Sequence, residues 1–341
     1  MSPEVHHPVR QVPWPSAVRV PATQIEQETT VFDKQFISGA IARSSETAVD
    51  RRRLLTLTGL AGAGAAAAMV AGPGMAANAA TASNSVSDGS VLNFALNLEY
   101  LEAEFYHRAV YGTGLPEKLT TGTGKRGGVT GGRKVHFKTK HIESYAKEIA
   151  GDEYQHVAFL RAALGSAAVA RPSISLDAAF KAAAKAAGLG SDFDPYANET
   201  NFLLAAFVFE DVGVTAYKGA APLITNKTYL EAAAGILAVE AYHAATIRST
   251  LYAMGHTAQH AANAISDARD SLDGRRDDDQ HITTWNGKDS NIVPADHNGV
   301  AYSRTPGQVL NVVYLTPKAA TKGGFFPHGV NGAVNTSTSE Y

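Results

Sequence analysis

Glu153-Tyr154-Gln155-His156 returns further along the chain as Glu240-Ala241-Tyr242-His243, and each copy is preceded by an acid set in an apolar run, Glu99 and Glu210. Glu and His three positions apart share one face of a helix, so one metal ion can take both. A single Glu, then Glu-x-x-His, then the same order again, is the ligand set of a carboxylate-bridged dimetal centre inside a four-helix bundle. The single Glu residues come from the other two helices and bridge or cap the metals. The candidate metal ligands are therefore Glu99, Glu153, His156, Glu210, Glu240 and His243.

The surroundings repeat too. Tyr106 follows Glu99 by seven positions, and Tyr217 follows Glu210 by seven. That is two helical turns, so each Tyr sits on the face of its own Glu. Arg161 and Arg248 each follow the Glu of their Glu-x-x-His pair by eight. The chain reads as two copies of one unit, a helix with Glu and Tyr and then a helix with Glu, His and Arg. The first copy is longer by a Gly-rich insertion around Gly112 to Lys134, which also holds Lys125, Arg126 and Arg133. The insertion lacks the Gly-x-x-x-x-Gly-Lys-Ser/Thr of a phosphate-cradling loop and reads as a flexible hairpin.

An isolated Glu-x-x-His is ordinarily solvated helix surface, but these two accompany acids in apolar helices. Phe202 to Glu210 is apolar nearly all round and should be central and buried. An unpaired carboxylate there costs free energy or takes up a proton. Two divalent ions remove the conflict, because four carboxylates, two neutral histidines and two such ions sum to zero charge. Glu102, one turn from Glu99, is the rival ligand. Glu99 is preferred because its spacing to Tyr106 matches that of Glu210 to Tyr217. Tyr106 and Tyr217 are candidate catalytic residues beside the metals, either donating to a carboxylate or acting as redox groups. Glu104 and His107 read as surface. Asp211 reads as a surface charge or as the acceptor for a ligand His. Arg161 and Arg248 either pair with nearby acids or are exposed. His281, His297 and His328 show no ligand spacing and read as surface.

Asn97-Leu98-Glu99-Tyr100-Leu101-Glu102-Ala103-Glu104-Phe105-Tyr106 carries a family likeness, and so does the tail. There the marks are Tyr302-Ser303-Arg304-Thr305-Pro306, Val309-Leu310, Val313-Tyr314 and Gly323-Gly324-Phe325-Phe326-Pro327. From about residue 90 to about 335 the chain resembles the ferritin-like superfamily, which includes ferritins, bacterioferritins, rubrerythrins and manganese catalases. Within it the chain resembles the exported, desiccation-related branch. The resemblance implies an all-α fold: a ferritin-like four-helix bundle with the Gly-rich insertion between helices 1 and 2 and a long C-terminal coil wrapping the bundle.

Composition narrows the chemistry. The chain of 341 residues is 45% hydrophobic and 18% charged, which is globular. A net charge of -2 gives no general attraction to nucleic acid, and none is expected as a partner. There is no Cys, which excludes disulfides, zinc fingers, iron–sulfur clusters and thiol catalysis. Carboxylate and imidazole ligands suit iron or manganese.

Helices are expected at about 90–111 (capped by Ser90), 140–164, 197–220 and 227–254. A short Ala-rich helix falls at 176–187, a fifth at 258–272 and a last short one at 308–315. Residues 90–272 make the helical domain. Residues 273–341 are an extension packed on the bundle, anchored by Val309, Val313, Phe325 and Phe326, and fraying from Asn335 to Tyr341. Residues 1–43 read as a disordered lead or a misplaced start. Residues 44–79 read as a twin-arginine-type signal peptide, and 80–89 as a linker. The signal rests on Arg51-Arg52-Arg53-Leu54-Leu55, the uncharged stretch from Leu54 to Gly72, and the small-x-small site Ala77-Asn78-Ala79. Asp50 stands where Ser or Thr is usual before the arginines. An ordinary secretory signal and an uncleaved membrane anchor are the alternatives.

The resulting expectation is a periplasmic or extracellular protein, exported folded by the twin-arginine machinery with two iron or manganese ions already bound. It handles a metal ion or a small oxidant, O2 or peroxide, in stress protection, as a ferroxidase, a catalase-like enzyme or an oxidase. Glu99 and Glu210 would shift between binding modes as it does so. The alternative is a non-catalytic desiccation protein that keeps the fold, its metals acting only as staples. A homo-oligomer is compatible with either, but ferritin-type cage storage is disfavoured by the insertion and the long tail.

Overall fold

The computed structural model describes residues 86–287 and 289–339. The lead 1–43, the signal segment 44–79 and linker residues 80–85 lie outside them. The first helix, α1, spans Asp88–Tyr111. Its cap is Ser87 rather than Ser90, and the Ser87 side chain accepts from the Ser90 N–H. Gly112, left-handed at φ 78°, ends it by returning its N–H to Arg108. Next come α2 (Lys140–Leu164), α3 (Ala178–Ala186), α4 (Glu199–Ala220), α5 (Lys227–Ala253), α6 (His256–Asp273) and α7 (Pro306–Tyr314). These match the expected helices to within about two residues. No helix among the described residues is long and apolar enough to cross a membrane.

The bundle is two helical pairs, α1 on α2 and α4 on α5, joined by α1 against α4 and α2 against α5. The pairs exchange caps. Asp88, in the first turn of α1, accepts from the N–H groups of Thr225 and Asn226 at 2.8 Å each, where α5 begins. Glu199, in the first turn of α4, accepts from the N–H groups of Lys138 and Thr139 at 2.9 Å each, where α2 begins. Each carboxylate thereby satisfies backbone donors where the chain enters a helix of the other pair, at the N-cap and the residue before it.

The Gly-rich insertion is not a hairpin. It lies along the connector between α2 and α3. There β1 (Val129–Thr130) pairs in parallel with β2 (Ile174–Ser175), and Thr123 bridges Val169. Glycine is needed where the two backbones meet: a Cβ on Gly127 would fall 2.2 Å from the Ser173 nitrogen. Arg171 clamps the two segments, donating to Gly127 O at 2.7 Å and to the buried Glu104.

In the C-terminal extension Val309, Val313, Phe325 and Phe326 are all buried. Phe325 sits edge-on to Phe180 and Phe209, and Phe105 joins the same cluster against both while also stacking on Phe202. The expected fraying from Asn335 is not seen through Thr338. Ser337 is buried, and Thr338 is held by Asn311 at 2.8 Å. Beneath the extension runs a chain of buried arginines. Arg248 and Arg269 share Asp211, Arg269 and Arg304 share Asp279, and Arg304 also takes Asp273.

Candidate metal centre

All six candidate ligands meet inside the bundle, and all are buried. Their donor atoms form two overlapping groups, each with atoms within 4.8 Å of one another. One group is Glu99, Glu153, His156 and Glu240. The other is Glu153, Glu210, Glu240 and His243. Glu153 and Glu240 belong to both. The acids of the two Glu-x-x-His pairs are therefore placed to bridge, while the single acids Glu99 and Glu210 cap one group each. His156 Nδ1 lies 3.2 Å from Glu99 Oε2 and 3.6 Å from Glu240 Oε1. His243 Nδ1 lies 3.2 Å from Glu153 Oε1 and 3.4 Å from Glu210 Oε2.

The donors suit a metal pair. Both oxygens of Glu153, both oxygens of Glu240, Glu210 Oε2 and His243 Nδ1 are buried and lack a hydrogen bond. So many unpaired polar atoms in one interior are too costly to leave alone. Gly213 makes room for them, since a Cβ there would fall 2.3 Å from Glu240 Oε2. Without metal, protons take up part of the imbalance. Burial pushes Glu99 up to about 7 against the pull of His156. Burial, with repulsion from Glu153, pushes Glu240 well above the carboxylate range. Burial opposes ionisation of Glu153 too, but His156 and His243 outweigh it and hold its carboxyl low. Burial disfavours charge on His156, yet Glu99 and Glu153 raise it to about 12. His243 is raised likewise by Glu210 and its other acids.

The tyrosines cross over. The Tyr106 hydroxyl donates to Glu210 Oε1, and the Tyr217 hydroxyl donates to Glu99 Oε1. Each Tyr thus serves the Glu of the other helix rather than its own, and the exchange makes α1 and α4 antiparallel at this level. Both hydroxyls are held far above their ordinary pKa, by burial first and by Glu210 or Glu99 next. Glu102 stays outside both ligand groups. It is buried, its Oε2 has no partner, and burial with repulsion from Glu153 raises it well above the carboxylate range.

Other expectations change. Asp211 serves no histidine: it is buried between Arg248 and Arg269. The acid that does serve one is Asp152, whose Oδ2 lies 3.0 Å from His243 Nε2. Sequence reasoning missed it, because an acid directly before Glu153 looks like any other on an amphipathic helix. Glu104 is fully buried, paired with Arg108 and Arg171, while His107 is half-buried against Thr113 O. Arg161 and Arg248 play matching parts. Arg161 donates to the Tyr100 hydroxyl at 2.5 Å and Arg248 to Asp211 at 2.7 Å, each acceptor directly following the capping Glu. Among the tail histidines, His281 is half-exposed beside Asp267, and His297 and His328 are exposed.

Comparison with known proteins gives a family-model match, described as a ferritin-like domain, over residues 87–253. The chain is 32% identical over 264 residues to the desiccation-related protein PCC13-62 of Craterostigma plantagineum, covering 72% of this chain and 83% of that one. It is 29% identical over 270 residues to the ferritin-like catalase Nec2 of Nesocodon mauritianus, covering 73% and 85%. No solved structure matches the chain.

Proposed function

The chain belongs to the ferritin-like superfamily, in its desiccation-related branch, and from that premise we propose that its Glu/His centre holds two iron or manganese ions and consumes hydrogen peroxide in stress protection. The observation that carries this reading is the sharing of Glu153 and Glu240 between two donor groups whose inward atoms lack other partners. The relative named as a ferritin-like catalase supports peroxide as the substrate. When bound, the metal pair supplies Lewis acidity and a two-electron reservoir suited to disproportionating peroxide into water and O2.

The chain's own residues prepare that chemistry. Tyr106 and Tyr217 occupy Oε1 of Glu210 and Glu99, leaving Oε2 of each to face the histidines. Asp152 holds His243 by its outer nitrogen, so that Nδ1 points inward. Glu102 keeps its proton beside the centre, in a small cavity that it shares with Leu101, Phe209 and Phe325. Twin-arginine export of the folded, metal-loaded protein belongs to the same proposal, on the strength of Arg51-Arg52-Arg53-Leu54-Leu55.

The test is metal content and O2 release from peroxide, for the native protein beside Glu153→Gln/Glu240→Gln. About two ions per chain with O2 release, both lost in the variant, is the expected result. Two ions without turnover would leave the metals as staples of a desiccation protein. No metal in protein purified after export would end the dimetal reading.

A further inference from the structure

The end of α6 carries negative charge that the buried arginines do not use. Arg248, Arg269 and Arg304 are balanced by Asp211, Asp279 and Asp273. Asp270 and Asp278 are left over. Asp270 makes no ion pair among the described residues. Asp278 Oδ1 lies 3.8 Å from Arg304 Nη2 and accepts no hydrogen bond. Arg275 and Arg276, in the same segment, are exposed and pair with none of these acids.

Three oxygens are stranded there. Asp270 Oδ1, Asp273 Oδ1 and Asp278 Oδ1 are all shielded from solvent, and none has a hydrogen-bond partner. Asp273 is only 3% exposed and Asp278 only 5%. One carboxylate oxygen of each residue lies within 4.8 Å of the others. Asp270 and Asp273 also sit in the last turn of α6, which carries no base. The carbonyl end of a helix favours cations and disfavours acids, so this placement compounds the imbalance.

We propose that Asp270, Asp273 and Asp278 form a separate metal site that takes one hard divalent cation of the calcium class. One such ion cancels the two surplus charges and occupies the stranded oxygens. The donors are all carboxylate oxygens, unlike the Glu/His set of the bundle, and oxygen-only sites suit calcium or magnesium. Donors this far apart can together reach an ion whose metal–oxygen distances are about 2.3–2.6 Å. Calcium tolerates an irregular shell completed by water, whereas magnesium demands a near-ideal octahedron. The ion would tie the last turn of α6 to the start of the C-terminal extension. Through Asp273 and Arg304 it would also brace Thr215 on α4, which accepts from Arg304 Nη1 at 3.0 Å. The site stands whether or not the bundle centre turns over peroxide.

The test is calcium titration calorimetry and thermal unfolding of the full chain after chelation, with two variants beside it. Asp270→Asn/Asp278→Asn keeps the side-chain size and removes the surplus charge. Glu153→Gln/Glu240→Gln disables the bundle centre. The expected result is one calcium per chain, lost in the Asp variant and kept in the Glu variant. At a hundredfold excess over Kd, calcium should raise the unfolding midpoint by about 5 °C or more in the native chain and leave the Asp variant unmoved. In chelator the Asp variant should unfold no lower than the native chain. The proposal is overturned by a native chain that binds no calcium, by calcium that persists in the Asp variant or vanishes with the Glu variant, or by an Asp variant destabilised equally with and without calcium.

Discussion

Gly213 is the smallest residue at the candidate metal centre and among the most constrained. A methyl group there would meet Glu240 Oε2 at 2.3 Å, and Glu240 belongs to both donor groups. Gly213→Ala should therefore lower metal affinity tenfold or more, even though Ala favours an exposed helix interior by about 1 kcal/mol over Gly. Competition with a graded chelator measures the first effect, and unfolding of the metal-free protein shows whether the fold survives. Asp152→Asn should cost about 10–100-fold in metal affinity, because it weakens the acceptor that orients His243. Unchanged affinity in that variant would make Asp152 a bystander. Neither residue was legible beforehand. A glycine inside a helix gives no sign of what approaches it, and Asp152 looks like any acid on an amphipathic face. The meeting of the six candidate ligands could be read, because Glu-x-x-His twice over constrains both chemistry and spacing. The tyrosine partners could not. Seven residues fix which face Tyr106 occupies, but not which helix lies opposite.

At the level of elements, the exchanged caps give a prediction in each direction. Glu199→Ala should expose the Lys138 and Thr139 N–H groups at the start of α2, and Asp88→Ala should do the same at Thr225 and Asn226 before α5. Each loss should cost about 0.5–2 kcal/mol, the usual range for a lost N-cap. Hydrogen exchange locates the damage: faster exchange in the first turn of α2 for the first variant, and of α5 for the second. Faster exchange confined to the mutated helix would show that the caps are not shared. Helix positions were legible from apolar periodicity and terminal residues, and the observed ends lie close to the expected ones. The insertion was misread because its glycines signal flexibility only when their neighbours are unknown. Here they let two backbones lie side by side, with Val129 paired to Ile174. Glu104 was misread for a similar reason, as its partner Arg171 comes from the distant connector.

For the whole molecule, the buried charges set a pH dependence that metal should reverse. The folded-state pKa of Glu99 is about 7, above its ordinary value of 4.5. Its contribution to stability is therefore full below about pH 4.5 and is lost as pH rises through 7. His156, raised from 6.5 to about 12, contributes fully below 6.5 and loses that contribution as pH climbs toward 12. Glu153 is depressed and acts the other way, failing only in acid. Metal-free protein should thus lose stability steadily from about pH 5 to 8. Metal binding must displace the protons on Glu99 and His156, so affinity should rise over the same range and protons should be released. Calorimetry in buffers of different ionisation enthalpy counts those protons. A metal affinity independent of pH would show that the centre is not protonated in this way.

The exchanged caps also bear on how the molecule can be divided. The α1–α2 portion carries the carboxylate that holds the chain entering α5, and the α4–α5 portion carries the one that holds the chain entering α2. Neither is finished alone, and each holds half of the acids of the candidate metal centre. Severed at the exposed glycines Gly188 and Gly190, the two pieces would be complementary fragments, and a metal ion offered to the mixture would be the reagent that rejoins them.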